Sequence, residues 1–196
     1  QSALTWTLAA NVENLTFTGT VAVNGTGNTL TNVLTGNAGA NVLSGGAGND
    51  TLTDAAGANV LVGGAGNDTL NLTSTSVDRI AMARGHGSDV VNSSGTAAND
   101  VLEVSNGITK SVMGLIKTGN DLIVDLGASE TITLKNWYAT TSVRNVGTLK
   151  IIGDASWVPG QTGTPTQVET LNMVSLVTAF DAWRALSSRA VHPSRC

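Results

Sequence analysis

Apolar residues recur at every ninth position through the first half of this chain, and the positions between them are small or polar. The recurring residues are Leu34, Leu43, Leu52, Leu61 and Leu70. A nine-residue period does not match the period of about 3.6 residues of an amphipathic helix, and the intervening Gly, Asn and Thr are poor helix formers. A glycine-rich turn followed by a short strand fits the period, with each leucine as the inward side chain.

Alternate nonapeptides are nearly identical, which sets the size of the predicted coil. Gly45–Thr53 and Gly63–Asn71 share their first eight residues, whereas Gly36–Ser44 and Asp54–Val62 are degenerate versions of them. Two nonapeptides therefore form one coil of a stacked solenoid, with one turn on each edge. The sixth position of the repeat carries aspartate on one edge (Asp50, Asp68) and asparagine on the other (Asn41, Asn59).

Charge is almost absent from the repeat region. No Lys or Arg occurs before Arg79, and the only acids before Val77 are Glu13, Asp50, Asp54 and Asp68. Stacking Asp50 over Asp68 at the strand spacing of about 4.8 Å costs about 1 kcal/mol even in water. This edge therefore needs a counter-cation. Carboxylate and carbonyl oxygens suit Ca²⁺, and the sequence has no Cys or His cluster for a softer metal.

Several functional classes are disfavoured. The net charge of −4 argues against a nucleic-acid-binding surface, and no apolar stretch is long enough for a transmembrane helix. No HExxH, GxSxG or Walker motif is present, so we expect no enzyme. His86 lies near Ser88 and Asp89, but Asp89 is better explained as a metal ligand than as part of a catalytic group.

The repeat resembles the RTX (haemolysin-type) nonapeptide G-G-x-G-x-D-x-U-x, where U is a large apolar residue. Gly45–Thr53 and Gly63–Asn71 match it completely. The resemblance implies a parallel β-roll whose loops bind Ca²⁺ in pairs. The implied ligands of the first ion are Gly46, Gly48, Asp50, Gly63, Ala65 and Asp68. Those of the second ion are Gly64, Gly66, Asp68, Arg84, His86 and Asp89.

The third loop on the aspartate edge departs from the repeat. Asp89 follows Asp68 by 21 residues, so we expect three inserted residues in the intervening strand, and Arg84 replaces the first glycine. The other edge continues from Asn59 to Asp78. Two interpretations remain open there, namely hydrogen-bonded asparagine ladders without metal or further calcium ions. Asp54 is expected at the surface, and Asp100 is a further candidate ligand.

The remainder of the chain loses the nine-residue period. Alternating runs predict strands over 101–104, 121–126, 131–138 and 149–152, which continue the roll with antiparallel strands and cap it with Trp137. Trp6 and Phe17 are expected in the core of the opposite end. Residues 159–167 suggest a linker, and 168–187 suggest an amphipathic helix. By the resemblance this tail is a type I secretion signal; the alternative is a helix that packs on the cap.

The sequence therefore predicts an all-β fold, namely a parallel β-roll (RTX solenoid) with a β-strand cap and a short C-terminal helix. Its predicted parts are the calcium-binding roll (1–92), the capping region (93–158) and the tail (159–196). We expect a calcium-dependent structural module at the C-terminus of a secreted or cell-surface protein, with calcium ions and the type I secretion machinery as partners. Open alternatives are the tail of a secreted protease, lipase or toxin, and an adhesin or S-layer module that assembles with copies of itself.

Overall fold

The computed structural model describes residues 4–93, 100–109, 111–139, 146–153 and 167–190, with side chains described up to residue 182. These residues form two eight-stranded sheets and one helix. The first sheet contains β1 (Leu4–Thr7), β3 (Val23–Thr26), β5 (Val42–Ala47), β7 (Val60–Ala65), β9 (Arg79–Met82), β11 (Asp100–Val104), β15 (Val146–Ile152) and β16 (Val168–Asn172), in that order. The second contains β12 (Gly114–Thr118), β13 (Asp121–Gly127), β14 (Glu130–Leu134), β10 (Ser88–Ser93), β8 (Thr69–Leu72), β6 (Thr51–Thr53), β4 (Val33–Thr35) and β2 (Asn14–Thr16). Helix α1 spans Met173–Ala190.

From β1 to β12, successive strands alternate between the two sheets, which produces the coil predicted from the repeat. Leu43 pairs with Leu61 in the first sheet and Leu52 pairs with Leu70 in the second, both in parallel register. Each coil therefore advances by 18 residues, and equivalent repeat positions stack directly on one another. The predicted parallel β-roll is confirmed.

The core is a double column of apolar side chains between the sheets. Leu34, Leu52 and Leu70 line one sheet, Leu43 and Leu61 line the other, and all five are fully buried within one apolar cluster. Burying a side chain of this size contributes about 1.5–3 kcal/mol. Each of these coils therefore contributes two inward leucines to the stability of the stack, while the loops at its edges are polar.

Strand β8, between the second and third aspartate-edge loops, is one residue longer than β6, so part of the predicted insertion lies in a strand. Strand β6 has three residues and buries one leucine, whereas β8 has four residues and buries both Leu70 and Leu72. Strand β9 likewise buries Ile80 and Met82. The insertion leaves the pairing of β8 with β10 and of β9 with β11 parallel.

The C-terminal end adds one parallel rung to each sheet and then closes with antiparallel strands. Strand β14 pairs parallel with β10, and β15 pairs parallel with β11. Antiparallel pairing then joins β12, β13 and β14, and joins β15 to β16. Trp137 is buried beneath this end, as expected of a cap residue. Strand β12 was not predicted.

The predicted C-terminal helix is present, but it begins at Met173 and not at Val168, because Val168–Asn172 pairs with β15 as a strand. Met173 and Val177 are buried against the sheet. Within the described ranges, no helix has the length and apolar character that crossing a bilayer requires. The predicted linker lies outside the described residues except for Gln167.

The N-terminal end is less covered than expected. Trp6 pairs with Gly25 and so occupies the register of the inner column, but 56% of its surface is exposed. The prediction that Trp6 lies in the core is therefore wrong, because the column ends there in the described part of the chain. Phe17 is partly buried and packs against the apolar cluster, as predicted.

Candidate metal centre

The sixth residue of each aspartate-edge loop is held by the backbone of the preceding coil. The amide N–H of Asn32 donates to Asp50 Oδ1, that of Asp50 donates to Asp68 Oδ1, and that of Asp68 donates to Asp89 Oδ1, each at 2.7 Å. This ladder fixes all three carboxylates in the same orientation. The Oδ1 atom of each carboxylate accepts one of these hydrogen bonds, and the Oδ2 atom takes no part in the ladder.

The second oxygen of each carboxylate is buried and has no protein partner. Asp50, Asp68 and Asp89 are only 2%, 1% and 1% exposed, and no hydrogen-bond donor reaches their Oδ2 atoms in the described structure. A buried carboxylate oxygen without a donor is strongly unfavourable. Three such atoms in a row along one edge therefore indicate a site for cations.

The carboxyl groups of this edge also have raised pKa values. Burial raises the pKa of Asp50, raises that of Asp68 to about 6 and raises that of Asp89 to about 7. Hydrogen bonds from backbone amides partly oppose the effect, and negative charge on neighbouring carboxylates adds to it. The protein without a cation therefore resists ionisation of these groups, and a bound cation would remove that resistance.

The first inter-loop space lies between loops 45–50 and 63–68. A Cβ atom placed on Gly45 would lie 2.2 Å from Asp50 Oδ2 and 2.4 Å from the carbonyl oxygen of Gly63. Two of the predicted ligand atoms therefore converge over a glycine that leaves room for an ion. The carbonyl of Ala65 accepts the amide of Gly48 at 2.8 Å and keeps a second lone pair for a metal.

Glycine is required in these loops for a second reason. Gly46, Gly48, Gly64 and Gly66 all have positive φ, from 104° to 139°. A Cβ atom on Gly64 would approach the carbonyl oxygen of Gly46 to 2.0 Å. The loops can therefore stack only without side chains at these positions.

The second inter-loop space lies between loops 63–68 and 84–89. A Cβ atom on Gly63 would lie 2.2 Å from Asp68 Oδ2, as one on Gly45 would from Asp50 Oδ2, but its three nearest atoms all belong to Asp68 and include no carbonyl of the later loop. The amide of Gly66 donates to the carbonyl of His86 at 3.3 Å, so the two loops are stacked despite the insertion. The structure thus brings His86 and Asp89 of the predicted second ligand set beside the loop of Asp68. The part of the Arg84 carbonyl stays a prediction.

The predicted ligand atom of His86 is its backbone carbonyl and not its imidazole. Its imidazole Nδ1 is buried without a partner, and burial lowers its pKa, which favours the neutral ring. Across the described ranges, no three acidic, imidazole or thiol side chains form a metal-binding group. Each inter-loop space therefore offers two carboxylates at most, and backbone carbonyls must complete the coordination, as a hard cation such as Ca²⁺ allows.

Comparison with protein families agrees with this geometry. The family model described as the RTX calcium-binding nonapeptide repeat (4 copies) matches residues 26–53 and 35–70. The chain therefore contains RTX calcium-binding nonapeptide repeats, and these form part of its parallel β-roll. RTX repeats bind calcium, and the matched segments contain the first aspartate-edge space. A comparison with curated proteins gave no match.

The opposite edge of the RTX roll is closed by amide groups. The side-chain nitrogen of Asn59 donates to the carbonyls of Ala56 and Gly57 at 2.9 and 3.0 Å. That of Asn41 donates to the carbonyl of Val23 at 2.6 Å. The carbonyls of Ala56 and Gly57, which meet an N–H donor here, occupy the repeat positions of the predicted ligands Ala65 and Gly66 on the aspartate edge. Of the two interpretations of the asparagine edge, this geometry favours the ladder without metal.

Three further carboxylates lie on the asparagine edge, and one of them is not where the sequence predicted it. Asp54 was expected at the surface, but it is buried with Asp78 and Asp100. It accepts hydrogen bonds from the backbone amide of Thr73 and from that of Ser74. The hydroxyl of Ser74 also donates to Asp78 Oδ2 at 2.8 Å. The sequence did contain one indication that Asp54 is buried. Asp54 stands at the first position of its loop, where the other repeats carry glycine.

Asp100 extends the backbone ladder of this edge. Its Oδ1 accepts the amide of Asp78 at 2.9 Å, as Asp78 Oδ1 accepts that of Asn59 at 2.7 Å. Burial raises the pKa of Asp78 to about 6 and that of Asp100 to about 7, with further contributions from Asp54. The loop before Asp100 lies outside the described residues, so its role as a ligand stays a prediction.

Proposed function

We propose that this RTX roll is a calcium-dependent folding module whose ions bind along the aspartate edge alone. The observation that supports the proposal is the row of buried, unpartnered Oδ2 atoms on Asp50, Asp68 and Asp89. The first ion would bind between the loops that contain Asp50 and Asp68, and the second between those that contain Asp68 and Asp89. Asp68 would be shared.

The mechanism is linkage between binding and folding. Without a cation, the stacked carboxylates are desolvated and repel one another, and the glycine-rich loops lose much conformational entropy on folding. A cation that binds only the stacked loops stabilises the folded state by RT ln(1 + [L]/Kd) for each simple site. The roll would then be unfolded at low calcium concentration and folded at high concentration.

A calcium titration monitored by far-ultraviolet circular dichroism tests this function. We expect an EDTA-treated sample to change from coil to β-structure on addition of CaCl₂, and Mg²⁺ to be much less effective, since it demands near-octahedral geometry. Asp68→Ala should weaken the transition more than Asp121→Ala, because Asp121 pairs with Lys135 at the end of cap strand β13 opposite the turn to β14. A chain that is fully folded in EDTA would refute the linkage mechanism.

The restriction of calcium to one edge has its own test. Replacement of Asn59 by aspartate removes the amide donor that serves the carbonyls of Ala56 and Gly57 and adds a carboxylate beside Asp78. We expect Asn59→Asp to bind more calcium than the wild type in equilibrium dialysis. If the wild type already fills the asparagine edge, the variant will bind the same number of ions, and the one-edge proposal is wrong.

We further propose that the module belongs to a secreted or cell-surface protein exported by type I secretion machinery. The RTX repeats support this placement, because calcium is scarce in the cytosol and abundant outside. The buried contacts of Met173 and Val177 show that the first half of α1 packs on the roll. Export of the full chain, compared with a chain truncated before Met173, would test whether α1 is also needed for secretion.

A second candidate function is assembly with other copies of the chain. Strands β1 and β2 are edge strands of their sheets, and exposed apolar side chains, among them Leu4, Trp6 and Val21, lie at this end. Parallel edge strands of this kind invite pairing with another chain. Light scattering that rises with protein concentration in calcium, and falls in Trp6→Ser, would support assembly; scattering of a monomer at all concentrations would exclude it.

A further inference from the structure

The aspartate edge has one more inter-loop space, between loop 84–89 and the turn that joins β13 to β14. Ser88 pairs with Thr131 in parallel register, and the amide of Thr131 donates to the carbonyl of Gly87 at 3.3 Å. The turn therefore stacks on loop 84–89 as that loop stacks on 63–68. The same register places Ile132 opposite Asp89, so the sixth-position carboxylate is missing from this turn.

An arginine side chain occupies this last space. Arg84 Nη1 lies 3.1 Å from the carbonyl oxygen of Gly127 and 3.1 Å from Glu130 Oε2. The amide of Gly85 donates to Glu130 Oε1 at 2.5 Å. A backbone carbonyl of the later loop and an acidic side chain thus meet on one cation, which is the kind of ligand set that the preceding spaces offer to calcium.

Arg84 replaces the glycine that begins the preceding aspartate-edge loops, and this replacement supplies the side chain that reaches Glu130. The preceding aspartate-edge loops carry Gly45 and Gly63 at their first position, and neither has a side chain. Only the carbonyl of Arg84 is needed by the second ion, so its side chain is free to reach the cap. A guanidinium is always charged and presents several donors in a rigid plane. It can therefore bind a carbonyl and a carboxylate together.

We propose that the Arg84 guanidinium takes the place of a calcium ion in the last inter-loop space, ends the series of calcium sites at Asp89 and fastens the cap to the roll. This inference rests on the proposed function, because it compares the last space with calcium-filled ones. Glu130 places a carboxylate at this space, where it contacts both the Arg84 guanidinium and the Gly85 amide. The Arg84 guanidinium is the cation that binds the carbonyl of Gly127 and the carboxylate of Glu130 in this space.

Calcium stoichiometry tests the proposal directly. Arg84→Gly restores the repeat glycine and releases Glu130 and the carbonyl of Gly127, so we expect it to bind one more calcium ion than the wild type in equilibrium dialysis. Arg84→Gly combined with Glu130→Gln removes the acid as well and should return to the wild-type number. Arg84→Lys keeps the positive charge and should also bind the wild-type number. Arg79→Gln is the matched control, because Arg79 pairs with Glu103 on the first sheet.

Hydrogen exchange at saturating calcium supplies a second measurement. In the double variant, the Thr131 amide at the junction should exchange at least about tenfold faster than in the wild type, the change expected from the loss of a charge-assisted hydrogen bond. The Thr69 amide, which donates to the carbonyl of Asp50 within the roll, should keep its protection.

Two outcomes would overturn the role of Arg84. One is an Arg84→Gly variant that folds and binds the same number of ions as the wild type. The other is unchanged exchange at Thr131 in the double variant. A wild-type chain that binds no calcium would instead overturn the proposed function, and the two failures are therefore distinguishable.

Discussion

Replacement of Asp68 by asparagine should make the roll less dependent on calcium. Asparagine keeps an Oδ1 atom for the amide of Asp50, which Asp68 accepts at 2.7 Å. Its new NH₂ group replaces the unpartnered Oδ2 and can donate to nearby loop carbonyls. Asn59 shows this arrangement on the other edge, where its side-chain nitrogen donates to Ala56 and Gly57. The variant would thus copy the metal-free closure that the protein already uses.

The size of the effect follows from the pKa of Asp68. That pKa is raised from 3.8 to about 6, chiefly by burial. Because each pKa unit corresponds to about 1.4 kcal/mol, the ionised carboxylate destabilises the metal-free fold by about 3 kcal/mol at pH above 7. Asparagine carries no charge and avoids this cost. It also removes one carboxylate from each of the two proposed calcium sites.

Circular dichroism in EDTA and in saturating CaCl₂ at pH 7.5 measures both consequences. We expect Asp68→Asn to show more β-structure than the wild type in EDTA, and a smaller gain on addition of calcium. Asp68→Ala is the control, since it removes the charge but leaves the Asp50 amide without an acceptor. If Asp68→Asn is no more folded than the wild type in EDTA, burial of charge is not what makes the metal-free roll unstable.

Three further predictions test the pH response, the loop glycines and the core. The pKa of Asp89, about 7 in the folded chain, lies above its unfolded value of 3.8, so the metal-free roll should lose stability as pH rises from about 4 to 7. Protons compete with the metal, so calcium affinity in isothermal titration should instead weaken as pH falls below about 7; a pH-independent affinity would contradict this. Gly45→Ala places a Cβ 2.2 Å from a site carboxylate and should weaken calcium binding at least about tenfold, whereas Gly114→Ala meets only ordinary contacts and should not. In urea unfolding at saturating calcium, Leu61→Ala should cost about 2–5 kcal/mol because Leu61 is fully buried, and the exposed Val33→Ala should change stability by less than about 0.5 kcal/mol.

The roll itself was predictable because its period is exact and its chemistry is local. The spacing from Leu43 to Leu61 fixes the coil, and the recurrence of Asp50 at Asp68 fixes which loops stack. The ligand loops follow from the same register, since glycines at equivalent positions must adopt equivalent backbone conformations. A single chain therefore carries enough internal repetition to define both the fold and the location of the candidate sites.

Other features depend on contacts that the period does not encode. The burial of Asp54 requires Thr73 and Ser74, which lie one coil later, in a degenerate loop. Strand Val168–Asn172 has helical spacing of apolar residues, yet it pairs with β15 because an edge strand was available there. The side chain of Arg84 reaches Glu130 across 46 residues. Only the folded arrangement shows these partners.

The spacing of paired strands has a kinetic consequence. Along the roll each strand meets a partner one coil away, as Thr69 meets Val90, whereas at the C-terminal end Ser88 must find Thr131 and Val101 must find Thr148. Closing a longer loop costs more entropy, although only about 0.6 kcal/mol for each doubling of length, and contacts between distant residues slow folding. The antiparallel unit β12–β13–β14 can form from residues that are close in sequence, and each coil of the roll can pair with the coil before it in turn. We therefore expect the docking of these two preformed parts to be the slow step of folding. In rapid-mixing experiments, the change in fluorescence of the buried Trp137 should then occur later than the gain of β-structure.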